Sequence, residues 1–206
     1  CGGFNNNVIK QVRNLAKQQK DAQVTVLSIG KKAQDAFKNT ELGLGGSELP
    51  RHLETLYDDL SFANVAPVAE KLMELFRNRN FDHIILVYNM FKNAAVQVLT
   101  TEQFLPVQPP QVEDDEKAQE IDYIFEPSKE QIVQELIPNS LKTQLFKALL
   151  DSHAAEHGAR MTAMHKATDN ADELLKELRL NYNKARQAAI TGEILEIVGG
   201  AEALND

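Results

Sequence analysis

The sequence predicts an α/β chain in two unlike parts. A three-layer domain with a mostly parallel sheet spans residues 1–138, and a very long C-terminal coiled-coil helix spans residues 139–206. Three observations carry this reading. In the first part, short β-branched runs alternate with amphipathic helical stretches, the pattern of a sheet covered by helices. From Asn139 to Val198 there is no proline, and glycine occurs only at Gly158 and Gly192. Through that stretch runs a seam of Met161, Met164, Thr168, Ala171, Leu175, Leu178, Tyr182, Ala185 and Ala189, whose alternating steps of three and four are those of a heptad.

Each element follows from local pattern. Gly2-Gly3 and Asn5-Asn6-Asn7 open a helix whose apolar positions recur with a helical period over Val8–Gln19. Val24–Ile29 (VTVLSI) reads as a buried strand stopped by Gly30. Lys31–Asn39 returns to helix, and Gly43, Gly45 and Gly46 make a loop. Phe62–Arg79 is a strong helix with Val65, Val68, Ala69, Leu72, Leu75 and Phe76 on one side. His83–Tyr88 and Ala95–Leu105 read as further strands, and Tyr123–Phe125 as another, ending at Pro127. Between them, Gln108–Glu120 carries two prolines and the acidic run Glu113-Asp114-Asp115-Glu116, a solvated excursion. Pro138 and Gly199-Gly200 punctuate the ends of the long helix, and Gly158 and Gly192 are places for it to bend or fray. About sixty helical residues would extend for roughly 90 Å. A helix of that length with an apolar stripe needs a mate, and this chain contains no second helix to match it.

Composition narrows the function classes. The net charge of −8, from 22 basic and 30 acidic residues, argues against a nucleic-acid binder. One cysteine, Cys1, excludes an intrachain disulfide and a cysteine-based zinc site. No run of about 20 apolar residues, the length a spanning helix needs, is present.

Several motifs suggest chemistry, and each has a plainer reading. Gly43-Leu-Gly45-Gly46-Ser47 resembles a phosphate loop, but it follows a helix instead of joining a strand to a helix N-terminus, so a simple loop is the better reading. His153-Ala-Ala-Glu156-His157 has the H-x-x-E-H order of inverted zinc peptidases, with both histidines on one helix face and Glu156 as base. That zinc-dependent hydrolase is the alternative function, together with a coiled-coil scaffold bearing an α/β head. His83 and His165 read as surface or packing residues. Arg160, Lys166, Lys184, Arg186 and Gln187 form a polar, partly basic side of the helix. Periodicity favours a solvated flank there, with i, i+4 pairs such as Asp172–Lys176 and Glu177–Asn181.

Two segments decide between these readings. Ala159-Arg-Met-Thr-Ala-Met-His-Lys-Ala-Thr-Asp-Asn-Ala171 and Asn181-Tyr-Asn-Lys-Ala-Arg-Gln-Ala-Ala-Ile-Thr-Gly-Glu-Ile-Leu-Glu-Ile-Val-Gly-Gly-Ala201 closely resemble the C-terminal signature of the gamma subunit of F-type ATP synthase. The opening Cys1-Gly-Gly-Phe-Asn-Asn-Asn7 resembles the start of that family's α/β domain. The resemblance implies a Rossmann-like head and a rotor shaft, part of the central stalk that couples proton-driven c-ring rotation to ATP synthesis at the beta-subunit sites. It implies no catalytic residue, no bound cofactor and no metal in the chain itself. The implied partners are the alpha and beta subunits, the epsilon (or delta) subunit and the c-ring.

Carried over by motif, Arg160, Arg186, Gln187, Thr191 and Glu193 match family positions that touch the alpha/beta hexamer. Tyr123, Phe125 and Glu126 match the region that contacts the c-ring. The implied location is peripheral, on the cytoplasmic face of a bacterial inner membrane. One departure stands out: the family has an N-terminal helix before the Cys-Gly-Gly segment, and here the sequence starts at Cys1. The sequence therefore reads as a fragment with a bare seam, expected to pair with a second copy when isolated.

Overall fold

A computed structural model describes residues 1–19, 22–44, 48–107 and 128–203. In chain order these form α1 (Phe4–Gln18), α2 (Lys31–Phe37), α3 (Glu41–Leu44), a 3-10 turn (Leu53–Thr55), α4 (Phe62–Arg77), β1 (Ile84–Asn93), β2 (Val96–Leu105) and α5 (Lys129–Ala203). The chain divides into two compact units, Cys1–Arg160 and Met161–Asp206. The division falls within α5.

The core of the first unit gathers three elements. Helix α4 contributes Val65, Val68, Ala69 and Leu72, strand β2 contributes Phe104 and Leu105, and α5 contributes Leu141, Leu145 and Leu149. The α5 residues are spaced i, i+4, i+8, so one stripe of that helix meets the others. Leu53 completes the cluster, and Leu27, Ile29, Ile84 and Leu86 pack around it. Lys142 Nζ reaches Glu70 Oε1 at 2.6 Å, a further tie between α5 and α4.

Head and long helix match the expected architecture, but the sheet differs from the expectation. Among the described residues it is a two-stranded antiparallel pair, with Tyr88 opposite Thr100 and Met90 opposite Val98. The reason is the connection. Only residues 94 and 95 separate the strands, whereas a parallel crossover needs about a dozen residues or more. Asn93 builds the turn: its Oδ1 accepts from the N–H of Ala95 (3.0 Å) and of Val96 (2.8 Å). The strand expected over Val24–Ile29 joins no ladder among the described residues. Its Val26 N–H donates to the Leu42 carbonyl, while Leu27 and Ile29 still pack on the core. The expected strand at Tyr123–Phe125 and the acidic excursion lie outside the described residues.

Helix α4 ends in a left-handed residue. Arg79 has φ of 60°, which lets the Asn80 N–H reach back to the Leu75 carbonyl (3.0 Å) and the Arg79 N–H to that of Phe76 (3.0 Å). Glycine is the residue this position favours. Arg79→Gly is expected to stabilise the first unit by about 0.5–1 kcal/mol, read as a small rise in melting temperature.

Helix α5 begins at Lys129, upstream of the expected start after Pro138. Pro138 removes only one donor, the N–H that would reach the Gln134 carbonyl, and the helix runs through it. Gly158 is a buried notch within the continuous helix. A Cβ placed there would lie 3.0 Å from the Ala94 carbonyl oxygen, 3.2 Å from Ala94 Cα and 3.4 Å from the Phe91 ring. The tip of the β1–β2 hairpin therefore rests directly on the helix backbone. Gly192, by contrast, has open space where its side chain would be.

Candidate interaction surface on the long helix

The seam defines the surface. In the second unit Met164, Leu175, Leu178 and Tyr182 are between 51% and 66% exposed, and Met161 is 44% exposed. An apolar stripe this open, on a helix with a heptad repeat, is a surface built to be covered by another helix. Thr168 turns its hydroxyl inward to the Met164 carbonyl (3.1 Å), leaving its methyl on the seam.

The polar residues expected to meet partners sit around this stripe. Arg186, Gln187, Thr191 and Glu193 are all exposed on the second unit. At about 100° per residue, Arg186 and Glu193 fall within ~20° of one another, and Gln187 and Thr191 share an adjacent face. A cation and an anion thus stand two turns apart with small polar groups beside them, able to hydrogen-bond without an apolar anchor. Arg160 belongs to the first unit and is half-exposed, with Nη2 2.5 Å from Glu156 Oε1. Its guanidinium is free to exchange that exposed carboxylate for another. Tyr123, Phe125 and Glu126 lie outside the described residues.

The other motifs resolve into packing. A Cβ at Gly43 would run into the Phe37 carbonyl, so glycine is required there by the close approach of α2 and α3, without a phosphate. Gly45, Gly46 and Ser47 lie outside the described residues. Nothing among the described residues supports a hydrolytic centre at the H-x-x-E-H segment. Glu156, the would-be base, is engaged by Arg160, and no group of three or more potential metal ligands occurs among the described residues. His153 stacks on Tyr57, with ring centroids 5.8 Å apart. His83 and His165 are exposed, and so is the free Cys1.

One cluster escaped the sequence reading. Glu102 on β2 accepts from the Tyr88 hydroxyl on β1 (3.0 Å) and from Gln144 Nε2 on α5 (2.6 Å). Burial and the adjacent Glu102 carboxylate push the Tyr88 phenol up to about 12, so it remains a donor. No local pattern signals this tie, because its members are far apart in sequence.

A packed α/β head joined to a helix with a bare heptad seam defines a coiled-coil stalk protein. The family model described as ATP synthase matches residues 1–204. The ATP synthase gamma chain of Flavobacterium johnsoniae is 57% identical over 205 residues, covering 100% of this chain and 69% of the relative. That of Christiangramia forsetii is 56% identical over 206 residues, with the same coverage. Among solved structures, the Euglena gracilis mitochondrial ATP synthase (OSCP/F1/c-ring) contains a chain with TM-score 0.58 and 22% identity, covering 99% of this chain and 68% of that one. The central stalk/c-ring structure from Tetrahymena thermophila gives 0.56 and 21%, covering 82% and 70%. These structural likenesses show a shared fold. The chain belongs to the ATP synthase gamma-chain family, the central-stalk subunits of the F1 sector.

Proposed function

We propose that the chain acts as a rotor without catalytic residues of its own, transmitting c-ring rotation to the nucleotide sites of the beta subunits. The observation that carries this reading is the exposed heptad seam on a single long helix. A shaft that turns inside a ring of subunits must be stiff, which a paired helix provides. Arg160, Arg186, Gln187, Thr191 and Glu193 are the contacts we assign to the alpha/beta hexamer, with the arginines pairing to carboxylates of the surrounding subunits. Tyr123, Phe125 and Glu126 are assigned to the c-ring, and the epsilon (or delta) subunit is the remaining stalk partner. No helix among the described residues is long and apolar enough to cross a membrane. The assembly is peripheral through F1, and we place it on the cytoplasmic face.

Reconstitution of the complete gamma protein with alpha and beta subunits tests the assignment. An ATP-hydrolysing complex is the expected product, and failure to assemble would sink the reading. In the whole membrane enzyme, which adds the c-ring, Arg186→Ala combined with Gln187→Ala is expected to weaken coupling of hydrolysis to proton pumping by roughly tenfold, the worth of one charge-assisted hydrogen bond. Pumping at the parent rate would remove these two residues from the contact set. Alone, the chain is expected to self-associate through its seam, and sedimentation over a range of concentrations would show a mass that rises with concentration. A constant monomer mass would count against that pairing.

A further inference from the structure

The H-x-x-E-H segment holds a geometry that the rotor function leaves unused. His153 and His157 are one helical turn apart, and their Nε2 atoms lie 3.2 Å from each other. Two imidazole nitrogens bound to one tetrahedral zinc ion at ordinary bond lengths stand about 3.3 Å apart. The pair therefore already has the spacing of a two-point chelate. Its orientation is held from one side, because His153 is stacked on Tyr57 with an interplanar angle of 28°. His157 is exposed, so an ion can approach from solvent. Glu156, the nearest carboxylate on the helix, is occupied by Arg160 and does not compete for the imidazoles.

We infer that His153 and His157 form a clip for a borderline divalent cation such as zinc. With no third ligand group among the described residues, water completes the coordination shell. Such a site is exchangeable and has no general base. Imidazole donors favour zinc, nickel and copper over magnesium and calcium, which require oxygen ligands. Each ring must offer a bare Nε2, so both carry their proton on Nδ1 when the ion is bound. The hydrogen bond between the two Nε2 atoms is exchanged for two metal–nitrogen bonds. A protonated imidazole offers no lone pair, so acid weakens binding.

Calorimetric titration of the whole chain with zinc chloride tests this, in a Cys1→Ser background that removes the exposed thiol. The expected result is one zinc per chain, with magnesium chloride giving no heat. His157→Ala should weaken zinc binding about a hundredfold, the loss of the second arm of a bivalent site. His153→Ala should do the same, while His165→Ala should leave the affinity unchanged. Near-ultraviolet circular dichroism of Tyr57 and Tyr88 verifies that each variant is folded, and exposed His157 is the variant least able to disturb the core. Unaltered zinc affinity in folded His157→Ala, or no saturable binding up to millimolar zinc, would overturn the inference.

Discussion

Truncating Leu145 to alanine is expected to destabilise the first unit by about 2–5 kcal/mol, the range for removing a large buried aliphatic side chain. Leu145 is 2% exposed and lies in the cluster where α4, β2 and α5 meet. The lost methyl groups leave a cavity walled by elements from three parts of the sequence, so no single one can shift to fill it. For a unit of this size the melting temperature should fall by about 10 °C. The measurement needs a probe of the head, because far-ultraviolet dichroism is dominated by the 75 residues of α5. The near-ultraviolet signal of Tyr57 and Tyr88 supplies one. Leu175→Ala, at a seam position 51% exposed in the second unit, is the control and should leave the melting of the first unit nearly unchanged. Equal losses in the two variants would contradict the placement of the core.

The contrast between Leu145 and Leu175 also marks what the sequence could tell. Both lie on heptad-like spacing, and periodicity reports that a face is apolar without saying whether anything covers it. On α4, periodicity singles out Val65, Val68, Ala69, Leu72, Leu75 and Phe76; the first five are buried, and Phe76 packs half-buried against the core. The strands were harder. A run such as His83–Tyr88 signals a buried strand but carries no direction, and the antiparallel pairing is set by the turn that Asn93 builds. Val24–Ile29 has the composition of a strand, yet composition cannot supply the neighbour that a ladder needs.

Gly158→Val is expected to cost about 1–3 kcal/mol, because its branched side chain would be driven into the hairpin tip. The Ala94 carbonyl oxygen, 3.0 Å from where a Cβ would stand, is backbone and has little room to retreat. Gly158→Ala tests the same contact more gently. Alanine gains about 1 kcal/mol of helix propensity over glycine, which should offset much of the squeeze, so a change near zero is expected. Urea denaturation followed by near-ultraviolet dichroism would separate the two variants. A stabilised Gly158→Val would show that the hairpin does not rest on this helix.

Gly158 also illustrates why the site was only half legible. A glycine within a helical pattern announces either weakness or a close approach, and the approaching residue, Ala94, is more than sixty positions away. The polar positions flanking the seam were accessible through the family signature, since Arg186, Gln187, Thr191 and Glu193 lie inside a contiguous block. The Tyr88–Glu102–Gln144 tie and the His153–Tyr57 stack depend on how distant segments meet, which no motif encodes.

The seam from Met161 to Ala189 has one further consequence. It repeats every seven residues, whereas an α-helix returns to the same face slightly out of step, by about 20° per heptad. Over four heptads the apolar stripe drifts about 80° around the helix. A straight mate would lose contact along the way, so the mate must wind around it in a left-handed sense. The handedness of the shaft is thus written into the spacing of its own side chains.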